Sequence, residues 1–195
     1  MIKNLSTFFV GIALLCLAGC TPIPKETTAT KEYAPLEVPV PERPAGQQDV
    51  IELITPKLDT VRVGFIGLGM RGPSAVERWT HIPGTKIVAL CDLLPENAEK
   101  AQKIVTNAGM EAPALYSGSE DAWKQLCERN DIDLVYIATD WKHHTEMGIY
   151  AMEHGKHAAI EVPAAMSLDE IWALINTSEK TFLCHIQCRQ FEEVV

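Results

Sequence analysis

Basic residues and cysteines are scarce in this chain of 195 residues. Lys and Arg number 17 against 26 Asp and Glu, which gives a formal net charge of −9. Such a chain lacks the clustered basic surface of nucleic-acid-binding proteins, so we expect no nucleic-acid partner. Six cysteines are too few for a disulfide scaffold. Cys91 and Cys127 lie in apolar contexts and are expected to be packed free thiols.

Long hydrophobic runs are also missing beyond the first twenty residues. The overall composition, 47% apolar and 22% charged, is that of an average soluble protein and excludes a collagen, a wholly disordered chain and a multi-span membrane protein. The apolar run Leu5–Leu17 is shorter than the ~20 residues of a membrane-spanning helix. It follows Lys3, and small residues directly precede Cys20, which is typical of a secretory signal.

The end of this segment resembles the lipobox of bacterial lipoproteins, in which a cysteine receives a lipid before cleavage. We therefore predict a lipoprotein signal peptide over residues 1–19 and lipidation at Cys20. The mature protein would then be exported to the cell envelope and anchored to a membrane by its lipid. An ordinary signal peptide with a chance cysteine and a short transmembrane anchor are the alternatives.

Proline is concentrated in the stretch that follows. Residues 20–59 contain seven of the twelve prolines. Proline lacks an N–H donor and favours extended segments, so this stretch is predicted to be a linker rather than part of a core. The remaining residues, 60–195, suffice for one modest domain.

From residue 60 onward, short apolar runs alternate with helical patterns. The predicted strands are Val61–Ile66, Lys86–Cys91, Ala114–Tyr116, Leu134–Ala138, Lys156–Glu161 and Phe182–Ile186. The predicted helices begin near Pro73, cover Pro95–Ala108, Ser119–Arg129 with Ser119 as N-cap, and His143–His154, and run from a capping box at Ser167 to about Ser178. Nearly continuous apolar strands separated by helices predict an α/β fold, a doubly wound parallel sheet with right-handed crossovers.

Three glycines with dinucleotide-binding spacing follow the first strand. Gly67 allows a tight turn, Gly69 lets the backbone approach a pyrophosphate, and Gly72 lets helix and strand pack closely. The helix N-terminus then offers N–H groups to the phosphates. The position between a strand and a helix strengthens a motif that is weak by itself. A plain strand–helix turn is the alternative.

An acid stands where such a fold places the adenosine ribose. Asp92 follows Gly72 by 20 residues and ends the second predicted strand. A carboxylate there can accept hydrogen bonds from both ribose hydroxyls and repels a 2′-phosphate, so we expect NAD rather than NADP.

Aromatic and imidazole side chains follow the fourth strand. Trp141 can pack beside a nicotinamide or adenine ring, and an imidazole near a helix start can donate to a ligand, although each is also compatible with a purely structural role. His143 and His144 point in different directions on a helix, so no metal site is expected.

Together, the segments GFIGLGMRG, the CD after the second strand, ATDWKHH, AMEHGKH and EVPAA resemble the glucose–fructose oxidoreductase/inositol dehydrogenase (Gfo/Idh/MocA) family over residues 61–180. That resemblance implies a Rossmann dinucleotide-binding domain. Most members carry Glu-Lys-Pro after the fifth strand, and the lysine assists hydride transfer. Val162 occupies the lysine position here and cannot relay a proton, which argues against a simple sugar dehydrogenase.

The MRGP, DW..H and EVPAA variants look like glycoside hydrolase family 109, the NAD-dependent α-N-acetylgalactosaminidases. This resemblance implies hydrolysis by a redox route: hydride leaves the sugar C3, the C2 proton becomes acidic, the aglycone is eliminated from C1, water adds, and the hydride returns. NAD is recycled. The resemblance assigns NAD contacts to Met70, Arg71, Asp92, Trp141, Lys142, His143, His144, Glu161 and Val162.

Members of this family continue much further, into a mixed α/β substrate domain. Here Lys180 is followed by fifteen residues without the Asn-containing segment of close relatives. We therefore interpret the chain as a truncated form with its catalytic residues in a missing C-terminal domain, and expect weak or absent hydrolysis of α-N-acetylgalactosaminides. An NAD-binding module without catalysis and a sugar dehydrogenase are the alternatives.

Overall fold

The computed structural model describes residues 34, 35, 37, 38, 40–183 and the backbone of 185–188. The predicted signal peptide 1–19 and Cys20 lie outside the described residues. The chain divides into two units, Met1–Val40 and Pro41–Val195, and the second holds all the helices and strands given below. No described helix combines the length and the apolar character that a membrane crossing requires.

A six-stranded sheet forms the centre of the second unit. Its strands are β1 (Val61–Ile66), β2 (Thr85–Cys91), β3 (Ala114–Tyr116), β4 (Leu134–Ile137), β5 (His157–Glu161) and β6 (His185–Cys188). Their order is β3-β2-β1-β4-β5-β6, and all neighbouring pairs are parallel. This confirms the predicted doubly wound sheet. The strand order reverses between β1 and β4, which is where ligands bind in open sheets of this kind.

Helices cover both faces of the sheet. They are α1 (Gly72–Thr80), α2 (Pro95–Asn107), α3 (Ala122–Cys127), α4 (Trp141–Glu153) and α5 (Leu168–Thr181). Buried residues of α1 and α2 share one apolar cluster with Phe65 and Tyr136 of the sheet. Buried residues of α3, α4 and α5 share another with Val135 and Ile160. Alternate strand residues thus serve opposite faces, as the near-continuous apolar strands require.

Helix boundaries show where local signals succeed and fail. The predicted capping box is confirmed: the Glu170 N–H donates to Ser167 Oγ, and the Ser167 N–H donates to Glu170 Oε2, both at 3.2 Å. The predicted N-cap at Ser119 is wrong. Its Oγ accepts from the Asp121 N–H at 3.2 Å inside a turn, and α3 begins only at Ala122. The serine hydroxyl is satisfied by the turn instead of by the helix.

The last helix is longer than predicted, and the last strand begins later. Helix α5 continues to Thr181, and Phe182 caps it in the left-handed region with φ of 54°. Because Phe182 closes the helix, β6 starts at His185 rather than at Phe182, and Cys184 lies outside the described residues. Helix α4 begins at Trp141, two residues before the predicted start.

Part of the predicted linker contacts α5. The Arg43 guanidinium donates to both oxygens of Glu179, at 3.0 Å each, and Gln47 Nε2 donates to Glu179 Oε2 at 3.2 Å. Glu179 is buried. A buried carboxylate requires such partners, so this short segment satisfies a charge that α5 carries into the fold.

The two cysteines predicted to be packed thiols are confirmed as buried and free. Burial raises the pKa of Cys91 and of Cys127 to about 12, so both thiols stay protonated at neutral pH.

Candidate functional site

The carboxyl ends of the central strands open into one cleft of about 960 Å³, a volume suited to a cofactor. The structure brings ten of the twelve predicted cofactor-binding residues to its lining: Gly67, Gly69, Met70, Arg71, Asp92, Trp141, His143, His144, Glu161 and Val162. The other two lie elsewhere. Gly72 is buried behind the loop, and Lys142 lines a separate depression beside Thr145 and Glu146.

The glycine loop is shaped by two close backbone contacts. A Cβ on Gly67, whose φ is +89°, would lie 2.6 Å from the Ala138 carbonyl, and a Cβ on Gly72 would lie 2.1 Å from the Gly67 oxygen. Gly69 differs, because nothing lies within 4 Å of its Cβ position. The first and third glycines therefore fold the loop, while the second leaves open space in the cleft, as a diphosphate requires.

The N-cap residue of α1, Arg71, lines the same cleft. Pro73 occupies its first turn, and the N-cap residue Arg71 makes no side-chain capping hydrogen bond. The first N–H groups of an uncapped helix are available to an anion, and the helix dipole favours negative charge there. The described residues thus fit the diphosphate of a dinucleotide.

Asp92 binds the glycine loop to the end of β2. Its Oδ2 accepts from the Leu68 N–H at 2.6 Å, and its Oδ1 accepts from the Leu94 N–H at 2.9 Å and from Asn97 Nδ2 at 3.1 Å. A carboxylate offers about four acceptor positions. Three protein donors leave about one acceptor position free, which is fewer than the two that the predicted contacts with both ribose hydroxyls would use.

The two adjacent histidines of α4 have different surroundings. His143 is exposed at the cleft, and its Nδ1 contacts the carboxylate of Asp140, the N-cap residue. His144 is buried: Nδ1 lies 2.9 Å from the Pro163 oxygen, and Nε2 lies 3.2 Å from the Thr139 oxygen. His144 thus bridges the loops that follow β4 and β5.

A tyrosine that the sequence analysis missed holds the acid at the end of β5. The Tyr136 hydroxyl donates to Glu161 Oε1 at 2.5 Å, and both side chains are buried. The next residue, Val162, is 44% exposed and presents an apolar side chain to the cleft. The signal that could have identified Tyr136 is its place in an otherwise aliphatic strand, since a buried phenol hydroxyl needs a partner.

Among the described residues, no three His, Cys, Asp or Glu side chains group together as a metal ion requires.

Comparison with known proteins places the domain among nicotinamide-dependent oxidoreductases. Residues 61–186 match the model of the Gfo/Idh/MocA family, described as "Oxidoreductase family, NAD-binding Rossmann fold". Among solved structures, the chain is similar to myo-inositol dehydrogenase from Lactobacillus casei in complex with NAD(H) and myo-inositol. The identity is 26% and the TM-score 0.53, over 61% of this chain and 33% of that one.

Curated relatives carry a different description. The chain is 94% identical to glycosyl hydrolase family 109 protein 1 of Phocaeicola vulgatus, over all of this chain and 41% of that protein. It is 65% identical to a glycosyl hydrolase family 109 protein of Porphyromonas gingivalis, over 95% of this chain and 38% of the relative. The chain thus spans about two-fifths of the length of these curated relatives.

Proposed function

The chain belongs to the Gfo/Idh/MocA oxidoreductase family, which has an NAD-binding Rossmann fold, and on that premise we propose that it is the NAD-binding part of an NAD-dependent glycosidase. The observation that carries the proposal is the cleft in which Gly69, with no atom within 4 Å of its Cβ position, shares the lining with Asp92 and Glu161. A backbone that leaves room beside an uncapped helix start suits a diphosphate better than a sugar or a peptide.

The residues around this space would hold the rest of the cofactor. Asp92 lies on the β2 side and suits the adenosine ribose, while Glu161 and Val162 lie on the β5 side, toward the nicotinamide. Trp141, 59% exposed at the start of α4, offers an indole to a ring of the ligand. When bound, NAD supplies a reversible hydride acceptor.

The glycosidase assignment is supported by the relatives. A dehydrogenase and a redox glycosidase both need a group that takes the hydroxyl proton while hydride departs. The Val162 side chain has no such group, so another residue would take this role in either reaction. The resemblance to glycoside hydrolase family 109 implies a reaction in which oxidation of a sugar carbon permits elimination of the aglycone. We assign α-N-acetylgalactosaminides as the substrate class on the resemblance of the MRGP, DW..H and EVPAA segments.

Replacing Gly69 by Ala tests the cofactor site. The added methyl group has room in the fold, so the melting temperature should stay within about 1 °C of the wild type, as for a surface change. It occupies the space assigned to the diphosphate, so the Kd for NAD, measured by calorimetry, should rise by about tenfold or more. Unchanged affinity in Gly69→Ala, or no NAD binding by the wild-type chain, contradicts the proposal.

Hydrolysis in D2O tests the chemistry. The elimination route exchanges the C2 proton of the sugar with solvent, so sugar released from an aryl α-N-acetylgalactosaminide should carry deuterium at C2. Mass spectrometry and NMR of the product would show it, with the longer Phocaeicola vulgatus relative assayed in parallel. Released sugar without deuterium would exclude the redox route.

A further inference from the structure

Tyr136 connects with the cleft through another residue. Its side chain is 3% exposed and is absent from the cleft lining, yet its hydroxyl donates to Glu161 Oε1 at 2.5 Å. Glu161 does line the cleft, at 9% exposure. The Glu161 carboxylate thus connects the Tyr136 hydroxyl with the cleft.

The strand register explains the contact. Tyr136 of β4 is paired with Ala159 of β5, and Glu161 follows Ala159 by two residues, on the same face of the sheet. The small side chain of Ala159 lets the phenol reach past it to the end of β5. The hydroxyl donor therefore comes from inside the sheet rather than from a loop.

Aromatic packing fixes the Tyr136 ring. Its centroid lies 5.1 Å from that of Phe65 and 6.2 Å from that of Trp79, and these two rings are themselves 6.0 Å apart. Phe65 and Tyr136 belong to the apolar cluster that α1 and α2 complete, and Trp79 of α1 packs against that cluster. Because the ring is packed on several sides, its hydroxyl offers Glu161 Oε1 a donor at a fixed position.

Glu161 and Asp92 flank the glycine loop on opposite sides. Glu161 ends β5, Asp92 follows β2, and the strand order between them is β2-β1-β4-β5. Three strand spacings place the two strand ends roughly 14 Å apart, with the loop after β1 between them. A dinucleotide whose diphosphate lies at that loop extends one riboside toward each acid. With the adenosine at Asp92, Glu161 receives the nicotinamide riboside.

We propose that Tyr136 is a positioning residue for the nicotinamide half of NAD, holding the Glu161 carboxylate so that its second oxygen accepts a hydrogen bond from that riboside. The inference rests on the proposed NAD binding. A nucleotide that lacks the nicotinamide riboside would not depend on Tyr136. The residue thereby contributes to the preference for the complete dinucleotide over adenosine nucleotides.

The test compares two ligands in calorimetric titrations of Tyr136→Phe. The variant keeps the ring and removes the hydroxyl, so Glu161 is no longer held in position for the nicotinamide riboside. The Kd for NAD should then rise by about tenfold, the effect of losing the hydrogen bond between the riboside and the Glu161 carboxylate. The Kd for ADP, which has no nicotinamide riboside, should stay within about twofold of wild type. An equal loss for both ligands, or no loss for NAD, overturns the inference.

Glu161→Gln and the double variant, which combines it with Tyr136→Phe, distinguish a positioning role from damage to the core. Glu161→Gln keeps the size of the side chain and should also raise the Kd for NAD while leaving the Kd for ADP unchanged. Because Tyr136 acts through Glu161, the double variant should bind NAD no more weakly than Glu161→Gln alone, whereas additive losses would contradict the proposal. The double variant also serves if Tyr136→Phe fails to fold, since it leaves no unpaired carboxylate.

The outcomes for wild type distinguish this inference from the proposed function. A wild-type chain that binds neither NAD nor ADP refutes both. A wild type that binds both ligands, with variants that retain full NAD affinity, refutes only the role of Tyr136.

Discussion

The acidic residues at the two ends of the central strands have different hydrogen-bond partners. At the amino ends of β1 and β4, Asp133 forms a bidentate pair with the Arg62 guanidinium, at 2.6 and 2.9 Å. At the carboxyl ends of the strands, the described hydrogen bonds to Asp92 and Glu161 come from uncharged donors: backbone N–H groups, an asparagine amide and a phenol. The charge of Asp133 is therefore neutralised by its partner, whereas the partners of Asp92 and Glu161 orient these carboxylates without neutralising them.

The difference separates stability from binding. The Arg62 guanidinium lowers the pKa of Asp133, and the Arg129 guanidinium lowers that of Asp131, so these carboxylates contribute to folding. A carboxylate held by neutral donors keeps its net charge and some acceptor capacity for a ligand. Changes to acids at the amino ends of the strands should therefore alter stability, and changes to acids at the carboxyl ends should alter the Kd for NAD.

The largest effect on stability is expected at Gly72, although this residue belongs to the ligand-binding loop, because the loop there packs against its own backbone. In Gly72→Ala the new Cβ would lie 2.1 Å from the Gly67 oxygen, a backbone atom that cannot rotate away. Overpacking of this kind should lower the free energy of unfolding by about 3 kcal/mol. The melting temperature should fall by roughly 10 °C, measured by circular dichroism. Gly69→Ala, which adds the same methyl group in open space, is the matched control; equal stability of the two variants would contradict the explanation.

A smaller effect is expected for Asp92→Asn, which sharpens the contrast. The amide places an N–H2 group where Leu68 or Leu94 donates, and the ligand loses a charged acceptor. The Kd for NAD should rise by about tenfold, with a melting temperature only a few degrees lower. Glu99→Gln makes the same charge change on the exposed face of α2 and should leave the Kd unchanged. If both variants weaken NAD equally, the effect is one of net charge rather than of the site.

The smallest expected effect comes from Asp133→Asn and depends on pH. The native pKa of Asp133 lies below its ordinary value of 3.8, so its ion pair stabilises the fold above that pH. The contribution is lost as the pH falls through the lowered native pKa. The melting temperature of Asp133→Asn should thus lie below that of wild type at neutral pH, with a gap that narrows below about pH 4. The Kd for NAD at neutral pH should stay within about twofold; a gap independent of pH would contradict the ion-pair account.

Local patterns predicted much of the fold because their physics is local. The glycine spacing and the box of Ser167 and Glu170 involve residues that are within a few positions of one another, so the sequence displays both partners. Ser119 shows the limit of such patterns. A serine before a helical stretch can cap a helix or satisfy a turn, and here it satisfies the turn, because α3 begins only at Ala122.

The parts of the site that sequence reasoning missed depend on strand register and on side-chain competition. The contact of Tyr136 with Glu161 joins residues 25 apart, and it requires knowing that Tyr136 stands opposite Ala159. The contacts of Asp92 with Leu68 and Asn97 likewise show only in three dimensions how many acceptor positions remain. A sequence motif can identify an acid near a ligand, but the number of lone pairs that the acid has free depends on its contacts in the folded loop.

His144 links two segments that line the cleft. Its imidazole contacts the carbonyl oxygens of both Thr139 and Pro163, so the segments that follow β4 and β5 are joined by one side chain. A displacement of either segment would therefore change the position of the imidazole and its contact with the other segment. A ligand that moves one of these segments would thereby also act on the other.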